Sequence, residues 1–196
     1  MLISQSKQFV FVHVPKTAGT SICEALAGMN DTVISCKLLH PPAKRIRQEL
    51  GEQKWSGFYK VAFVRNPWAR LVSWYNALQE HPPLPQHKRV RAELSDFKSF
   101  VKYGVNYGLP IWRNQIDWIS DGDNLLVDFV GRFESLEEDF SVVCKHLGMT
   151  AELPHTNATS RVDYREYYSP AMWHRVKENY SRDIAAFNYP LEWWGA

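Results

Sequence analysis

The fold is decided by residues 9–21, which run Phe9-Val10-Phe11-Val12-His13-Val14-Pro15-Lys16-Thr17-Ala18-Gly19-Thr20-Ser21. The first part of this stretch is almost entirely apolar and predicts a buried strand over roughly Gln8–Val14. After a short polar loop, apolar residues recur with helical spacing at Ile22, Ala25, Leu26 and Met29. A strand, a tight loop and a helix in this order direct backbone N–H groups and a helix N-terminus at one point. That arrangement predicts a site for a phosphate or sulfate group.

Strands and helices are expected to alternate through the first third of the chain, which is typical of a parallel sheet with helices on both faces. The predicted fold class is therefore α/β, a three-layer P-loop-like fold whose central parallel sheet is flanked by helices, as a single domain over residues 1–196. The expected elements are a helix over Thr20–Gly28, a strand over Thr32–Cys36, a helix near Pro42–Leu50, a strand over Tyr59–Arg65, a helix capped by Asn66 with Pro67 at its first position, an exposed loop from His81 to Pro85, helices near Ser95–Tyr103 and Ile111–Ser120, a strand over Leu125–Arg132, a helix opened by a capping box at Ser135–Glu138 and ended by Gly148, and a last helix from Ser169.

Charge, cysteine spacing and the length of apolar runs argue against several classes of function. The formal net charge of +2 over 196 residues does not suggest a general nucleic-acid binder. The three cysteines, Cys23, Cys36 and Cys144, lack metal-ligand spacing, so no metal is expected. The amino terminus runs directly into the first strand, and no apolar run approaches the ~20 residues that cross a bilayer. We therefore expect a cytoplasmic protein with no stable membrane insertion, and composition leaves its oligomeric state open.

A second candidate anion site follows the strand over Tyr59–Arg65. Arg65 stands at the carboxyl end of that strand, where ligands of open α/β sheets bind. In the next helix, Leu71, Trp74, Tyr75 and Leu78 form the expected core stripe, and Ser73 is expected on the opposite side. A guanidinium and a hydroxyl in these places could hold one phosphate, because the planar fork of arginine binds such oxygens in pairs.

The loop departs from the usual ATP- or GTP-binding loop, in which the lysine follows the last glycine. Here Lys16 precedes Gly19, Pro15 replaces the first glycine, and no acidic strand end clearly supplies a magnesium ligand. Two neighbouring anion sites instead predict a ligand with phosphates at both ends. A kinase or NTPase-like enzyme and a non-catalytic nucleotide-binding relative stay as alternatives.

These stretches carry a resemblance to the carbohydrate sulfotransferase family, and more narrowly to the branch of heparan sulfate 2-O-, chondroitin and dermatan sulfotransferases and their short bacterial relatives. The resemblance covers nearly the whole chain. It rests on Pro15-Lys16-Thr17-Ala18-Gly19-Thr20-Ser21, Arg65-Asn66-Pro67-Trp68-x-Arg70-Leu71-Val72-Ser73-x-Tyr75, Gly131-Arg132-Phe133-Glu134, Leu153-Pro154-His155-x-Asn157-x-x-Ser160, Tyr164-Arg165-x-Tyr167-Tyr168 and Asp183-Ile184-x-x-Phe187.

The resemblance implies an O-sulfotransferase that moves a sulfuryl group from 3′-phosphoadenosine 5′-phosphosulfate (PAPS) to a hydroxyl of a carbohydrate or glycoside. It implies that Arg65 and Ser73 hold the 3′-phosphate and that Ser160 and Arg161 belong to a loop that closes over the nucleotide. By the same resemblance, the 5′-phosphosulfate is held by Lys16, Thr17, Ala18, Gly19, Thr20 and Ser21.

The expected reaction also needs a base to take the acceptor proton. His40 is the predicted base, since it lies between the two donor motifs where similar enzymes carry a catalytic histidine, and Lys16 is expected to neutralise the departing nucleotide. Glu24 is a weaker alternative base, and His13 is expected as a hydrogen-bonded core residue. His81 and His87 belong to the proline-rich region and could contact the acceptor.

Four further residues are candidate acceptor contacts. Lys37 and Arg45 belong to a local basic group around His40 that could bind an acidic saccharide. Gln115 and Trp118 lie on the expected mid-chain helix and could line the sugar cleft.

Overall fold

The computed structural model describes residues 1–26, 40–80, 85–154 and 162–191. The chain divides into two compact units, one formed by Met1–Arg65 with Gln115–Ala158 and the other by Asn66–Asn114 with Thr159–Ala196. The strand expected over Thr32–Cys36 lies outside the described residues, and the single domain over residues 1–196 stays a prediction.

The described elements include short strands as well as helices of up to 14 residues. In chain order they are β1 (Leu2–Ser4), β2 (Phe9–Val12), α1 (Gly19–Ala25), α2 (Ala43–Leu50), α3 (Glu52–Gly57), β3 (Tyr59–Val64), α4 (Pro67–Glu80), α5 (Pro85–Glu93), α6 (Phe97–Tyr103), α7 (Ile116–Ile119), β4 (Ser120–Asp121), β5 (Asn124–Leu125), β6 (Phe129–Arg132), α8 (Leu136–His146), α9 (Pro170–Asn179) and α10 (Ser181–Phe187).

The first unit contains a mixed sheet with strand order β1-β2-β3-β6. The three strands β2, β3 and β6 are parallel, whereas β1 pairs antiparallel to β2. The sequence therefore predicted an α/β sheet correctly but missed its antiparallel edge. Only three residues form β1, and a tight turn with Gln8 in the left-handed region (φ 47°) joins it to β2. So short a strand carries little periodic signal.

The core of the first unit lies where α1 and α8 pack against one face of this sheet. Phe9 and Phe11 on β2 and Val61 and Phe63 on β3 alternate toward that face and are fully buried. Each such side chain contributes roughly 1.5–3 kcal/mol on burial. On β6, a Cβ at Gly131 would lie 2.4 Å from the Phe63 ring, so only glycine admits that ring.

Several helix predictions need correction. The expected helix over Ile111–Ser120 is a 3₁₀ turn over Pro110–Trp112, an extended Arg113 (ψ 140°) and then the short α7. The capping box at Ser135–Glu138 does not form, because the Ser135 hydroxyl donates to Asp139 Oδ2 instead of accepting from the backbone.

Two more helix predictions differ from the structure, and the predicted strand over Leu125–Arg132 is divided between β5 and β6. Helix α5, from Pro85 to Glu93, was not expected. The last helix is divided at Tyr180 into α9 and α10. The predicted stop at Gly148 (φ 62°) is confirmed.

The second unit is built around aromatic side chains. Trp68 stacks on Trp173 with ring centroids 4.2 Å apart, and its indole N–H donates to the Trp173 carbonyl. The predicted start of α4 is confirmed, since Asn66 Oδ1 accepts from the backbone N–H groups of Trp68 and Ala69. Its predicted stripe is only partly right. Leu71 and Leu78 are buried, whereas Trp74 and Tyr75 are half-buried.

Candidate functional site

The loop after β2 has an unusual backbone. Lys16 (φ 68°) and Ala18 (φ 64°) both adopt the left-handed conformation, which costs a non-glycine residue roughly 1–2 kcal/mol. The fully buried Thr17 between them donates its hydroxyl to the Val14 carbonyl at 2.9 Å. Alternating right- and left-handed residues turn successive N–H groups toward one side, as in anion-binding nests. The loop therefore holds a strained shape that suits an anion.

The side chains of this loop divide into two groups. Thr17 and Ser21 are buried, whereas Thr20 is exposed and Lys16 is half-buried. Thr17 thus shapes the loop through its hydroxyl, and Thr20 offers its hydroxyl to the surroundings. Gly19 is required sterically, because a Cβ there would lie 1.9 Å from the imidazole of His13.

Arg65 lies beside this loop because β2 and β3 are adjacent and parallel, with Val12 opposite Ala62. One guanidinium nitrogen of Arg65, Nη1, donates to the Lys16 carbonyl at 3.4 Å. The guanidinium also stacks over the Phe133 ring, with its carbon 3.8 Å from the ring centroid. Lys16 and Arg65, two of the residues predicted to bind anionic groups, are therefore neighbours. Sequence reasoning missed Phe133, although it directly follows β6, the strand next to β3.

Gln115 holds the backbone of Arg65. Its side-chain Oε1 accepts from the Arg65 N–H at 2.9 Å, and its Nε2 donates to the Arg65 carbonyl at 2.8 Å. The side chain is fully buried. Both ends of the Gln115 amide thus fix the residue that begins the second motif, and the sugar contact of Gln115 stays a prediction.

His40 lies in the same unit, where its ring contacts His13 and its backbone contacts Trp118. Its ring packs edge to face with that of His13, with centroids 4.4 Å apart and planes at 86°. Its carbonyl accepts from the indole N–H of Trp118 at 3.2 Å. Trp118 is almost fully buried and has this structural contact, and its sugar contact stays a prediction.

His13 has an unusual electrostatic environment. Burial, followed by its neighbours His40, the amino terminus and Lys16, lowers the pKa of His13 to about 3. The imidazole is consequently neutral at physiological pH. The sequence predicted a hydrogen-bonded core histidine, whereas His13 is half-buried beside Gly19. Its ring contact with His40 was not predicted.

The basic group predicted near His40 is balanced by carboxylates on α2, α3 and β4. Arg45 pairs with Glu49 at 2.6 Å, Arg47 with Glu52 at 2.6 Å, and Lys44 with Asp121 at 2.8 Å. All three cations are exposed, and pairs of this kind contribute little to stability. The described part of this group is a charge-balanced helix face, and an acceptor contact by Arg45 stays a prediction.

Other predicted site residues fall elsewhere. Ser73 belongs to the second unit, where it is buried on α4 instead of lying on an open side of the helix. Glu24, the alternative base, is exposed on α1. Lys37, Ser160 and Arg161 lie outside the described residues, so their predicted roles stay predictions.

The described residues contain neither a metal-binding cluster nor a membrane-spanning helix. Within residues 1–26, 40–80, 85–154 and 162–191, no group of three or more His, Cys, Asp and Glu side chains could hold a metal ion. Over the same ranges, no helix is long and apolar enough to cross a membrane.

The sheet, the strained loop and the strand-end arginine define an α/β protein with a candidate anion site. A family model described as the sulfotransferase family matches residues 1–190, and the chain belongs to that family. The resemblance stated from the sequence is confirmed.

Relatives of this chain include carbohydrate sulfotransferases. Human carbohydrate sulfotransferase 9 is 29% identical over 53% of this chain and 28% of its own length. Human carbohydrate sulfotransferase 14 is 25% identical over 97% of this chain and 60% of its own length. An uncharacterised protein of Archaeoglobus fulgidus is 32% identical over 64% of this chain and 98% of its own length. The chain thus spans less than two thirds of the carbohydrate sulfotransferases it matches.

Proposed function

We propose that this chain is an O-sulfotransferase that moves a sulfuryl group from PAPS to a hydroxyl of a carbohydrate or glycoside. The observation that carries the proposal is the family match over residues 1–190. The names of the relatives support a carbohydrate acceptor. A three-layer P-loop-like fold, with the described mixed sheet at its centre, is part of the same proposal.

The residues of the first unit fit a donor that carries anionic groups. The left-handed conformations of Lys16 and Ala18 favour N–H groups that converge on an anion. Arg65 adds a guanidinium fixed at its backbone by Gln115 and at its head by Phe133. In this proposal the loop from Lys16 to Ser21 holds the 5′-phosphosulfate and Arg65 holds the 3′-phosphate. Ser73, Ser160 and Arg161 complete the donor site on the strength of the family resemblance alone.

The proposed chemistry needs positioning and charge stabilisation more than covalent catalysis. When bound, PAPS would supply the sulfuryl group. His40 takes the proton of the acceptor hydroxyl as the new oxygen–sulfur bond forms. The Lys16 ammonium neutralises negative charge that develops on the departing nucleotide, much as lysine does in phosphoryl transfer. The proposal assigns no step to a metal ion.

The decisive experiment incubates the purified chain with PAPS and a panel of carbohydrate and glycoside acceptors. Sulfated products are then detected by mass spectrometry. We expect transfer to at least one acceptor and a loss of 10²-fold or more in Lys16→Ala, because its charge acts on the leaving group. Lys54→Ala is the matched control, since Lys54 is an exposed lysine of α3 in the same unit. Magnesium-dependent ATP hydrolysis without sulfuryl transfer would overturn the proposal in favour of an NTPase.

A further inference from the structure

A cleft in the second unit, here called the α5 cleft, is lined by residues of α5, by Tyr103 at the end of α6 and by the 3₁₀ turn Gly104–Tyr107. Its volume is about 600 Å³, which is within the usual range of small-molecule sites, about 300–1,000 Å³. Two buried apolar side chains, Val90 and Leu94, contribute to its lining. The cleft therefore has the size and the partly apolar lining of a site for a small ligand.

Tyr103 gives the α5 cleft an exposed aromatic surface. The residue is 44% exposed, although the Lys102 ammonium lies 4.9 Å from the centroid of its ring. An aromatic ring at the edge of a cleft offers a flat apolar face to a ligand. In a sugar, the C–H groups on one face of a pyranose ring form a flat apolar surface that fits such a ring. Tyr103 is therefore suited to pack against a sugar.

The polar side chains of the α5 cleft hold one another in place. Glu93 accepts from the Tyr107 hydroxyl at 2.6 Å and from Arg89 Nε at 2.7 Å. These two hydrogen bonds hold the pKa of Glu93 below its usual range, so its carboxylate is ionised at neutral pH. The exposed Asn106 adds an amide, which both donates and accepts. Sugar hydroxyls also donate and accept, so they match side chains of this composition.

The charges of the α5 cleft favour an uncharged ligand. Among the described residues that line it, Arg89 and Glu93 carry opposite charges and form an ion pair. An anionic ligand would have to compete with Glu93 for the guanidinium, and a cationic ligand would have to compete with Arg89 for the carboxylate. A neutral compound with several hydroxyls can bond to both groups without separating them.

We propose that the α5 cleft binds a neutral saccharide, with Tyr103 packed against one face of a sugar ring. The hydroxyls of that ring bond to Glu93, Arg89 and Asn106. The inference goes beyond the proposed reaction, because binding in this cleft needs neither the donor nor sulfuryl transfer. It gives the second unit a carbohydrate site of its own, made from residues that the sequence analysis did not single out.

NMR titration of the full chain with lactose and with N,N′-diacetylchitobiose tests the proposal. With at least one of these sugars, we expect the backbone amide signals of residues 89–94 and 103–107 to shift. Tyr103→Ala should weaken binding about 10-fold, whereas Tyr103→Phe keeps the ring and should change the affinity less than about 2-fold. Val105→Ala is the matched control, because Val105 is an exposed apolar residue of the same 3₁₀ turn and is not among the described residues that line the cleft.

Two further measurements test the polar contacts and the charge of the ligand. Tyr107→Phe removes one of the hydrogen bonds that hold Glu93 and leaves the Tyr103 ring in place, so we expect binding to weaken about 3-fold. Raising the salt concentration from about 0.05 M to about 0.5 M should change the affinity less than about 2-fold, because salt screens charges and the ligand has none.

Three outcomes would overturn the proposal. The first is that neither sugar shifts the signals of the α5 cleft. The second is a heparin tetrasaccharide that binds through Tyr103 more tightly than both neutral sugars, since the cleft would then be a site for anions. The third is a set of shifts confined to the loop after β2 and to Arg65, which would place the sugar in the first unit. Sugar binding in the cleft without sulfuryl transfer to any acceptor would count against the proposed function and leave this inference standing.

Discussion

Arg65 and Arg70 belong to one short motif and have opposite surroundings. Arg65, in the first unit, is half-buried and faces the carbonyl of Lys16 and the ring of Phe133. Arg70, in the second unit, is completely buried on α4 and donates to the Arg113 carbonyl at 3.4 Å. Burial lowers the pKa of the Arg70 guanidinium, and interactions with Tyr180 and Asp183 oppose that shift.

The difference shows that a functional motif also contains residues that serve the fold. Both arginines are needed for the sequence resemblance, but Arg65 is partly exposed, whereas Arg70 is completely buried. Asp183, which acts electrostatically on Arg70, is also completely buried. A fully buried guanidinium that interacts electrostatically with a buried carboxylate indicates a structural role, because its loss leaves the carboxylate without that compensating charge.

The largest expected effect follows from removing Arg70. Arg70→Ala should lower the free energy of unfolding by about 3–5 kcal/mol, because Asp183 then stays buried without its counter-charge. Urea unfolding of the purified variant measures this loss. Arg65→Ala is the control and should lose about 1 kcal/mol or less, since Arg65 is partly exposed. Equal stability losses for the two variants would remove the distinction between them.

Acid should lower the free energy of unfolding through His13, which lies in the first unit. His13 has a folded pKa of about 3 against about 6.5 in the unfolded chain. The unfolded state therefore binds more protons below pH 6.5, so the contribution of His13 is fully present above 6.5 and is lost as pH falls toward 3. The loss in the free energy of unfolding reaches at most about 5 kcal/mol.

Unfolding of the unmodified protein and of His13→Gln between pH 7 and pH 3 isolates this contribution. The difference in unfolding free energy between them should shrink on acidification, because the variant cannot titrate at this position. A difference that is constant across the whole range would contradict the lowered pKa of His13.

Arg65 should matter for binding in the way that Arg70 matters for stability. Arg65→Ala should weaken the binding of adenosine 3′,5′-bisphosphate about 100-fold, or by about 2.7 kcal/mol, because charge-assisted hydrogen bonds to a phosphate are lost. Calorimetric titration measures the affinity. Arg91→Ala, an exposed arginine on α5, is the control for a general loss of positive charge. Unchanged affinity in Arg65→Ala would remove Arg65 from the proposed donor site.

Long, regular segments of this fold were predictable from the sequence because their signals are local. The strand before the loop, the start of α4 at Pro67 and the stop at Gly148 follow from apolar runs, a proline preference and a left-handed glycine. The helix expected over Ile111–Ser120 was wrong because tertiary contacts overrode periodicity there. Within that segment, Gln115 gives its amide to Arg65.

The sequence predicted the anion-binding residues of the candidate site but not the residues that hold them in place. Ligands of open α/β sheets bind at the carboxyl ends of the strands, which predicted that Lys16 and Arg65 belong to one site. The adjacent parallel strands place the two residues side by side. The supports come from residues 50 or more positions away from Arg65, such as Gln115 and Phe133. One sequence without structure contains no signal for such pairs, since each side chain alone is compatible with an ordinary buried position.

The smallest expected effect concerns the loop after β2. There Thr17 and Thr20 differ in exposure as Arg70 and Arg65 do. Thr17 is fully buried with its hydroxyl on the Val14 carbonyl, whereas Thr20 is exposed. Thr17→Val should lower the free energy of unfolding by about 1 kcal/mol, the usual net worth of one hydrogen bond. Thr20→Val should change the free energy of unfolding by less than about 0.5 kcal/mol, as most surface substitutions do. Because the proposed donor site includes Thr20, the same variant should bind the donor more weakly. Urea unfolding measures the effect of each variant on stability, and calorimetric titration measures its effect on donor binding. Thr17 lies between two left-handed residues, so we expect its hydroxyl to support the shape of the loop. A Thr20→Val variant that binds the donor normally while Thr17→Val does not would show that the loop acts through its backbone alone.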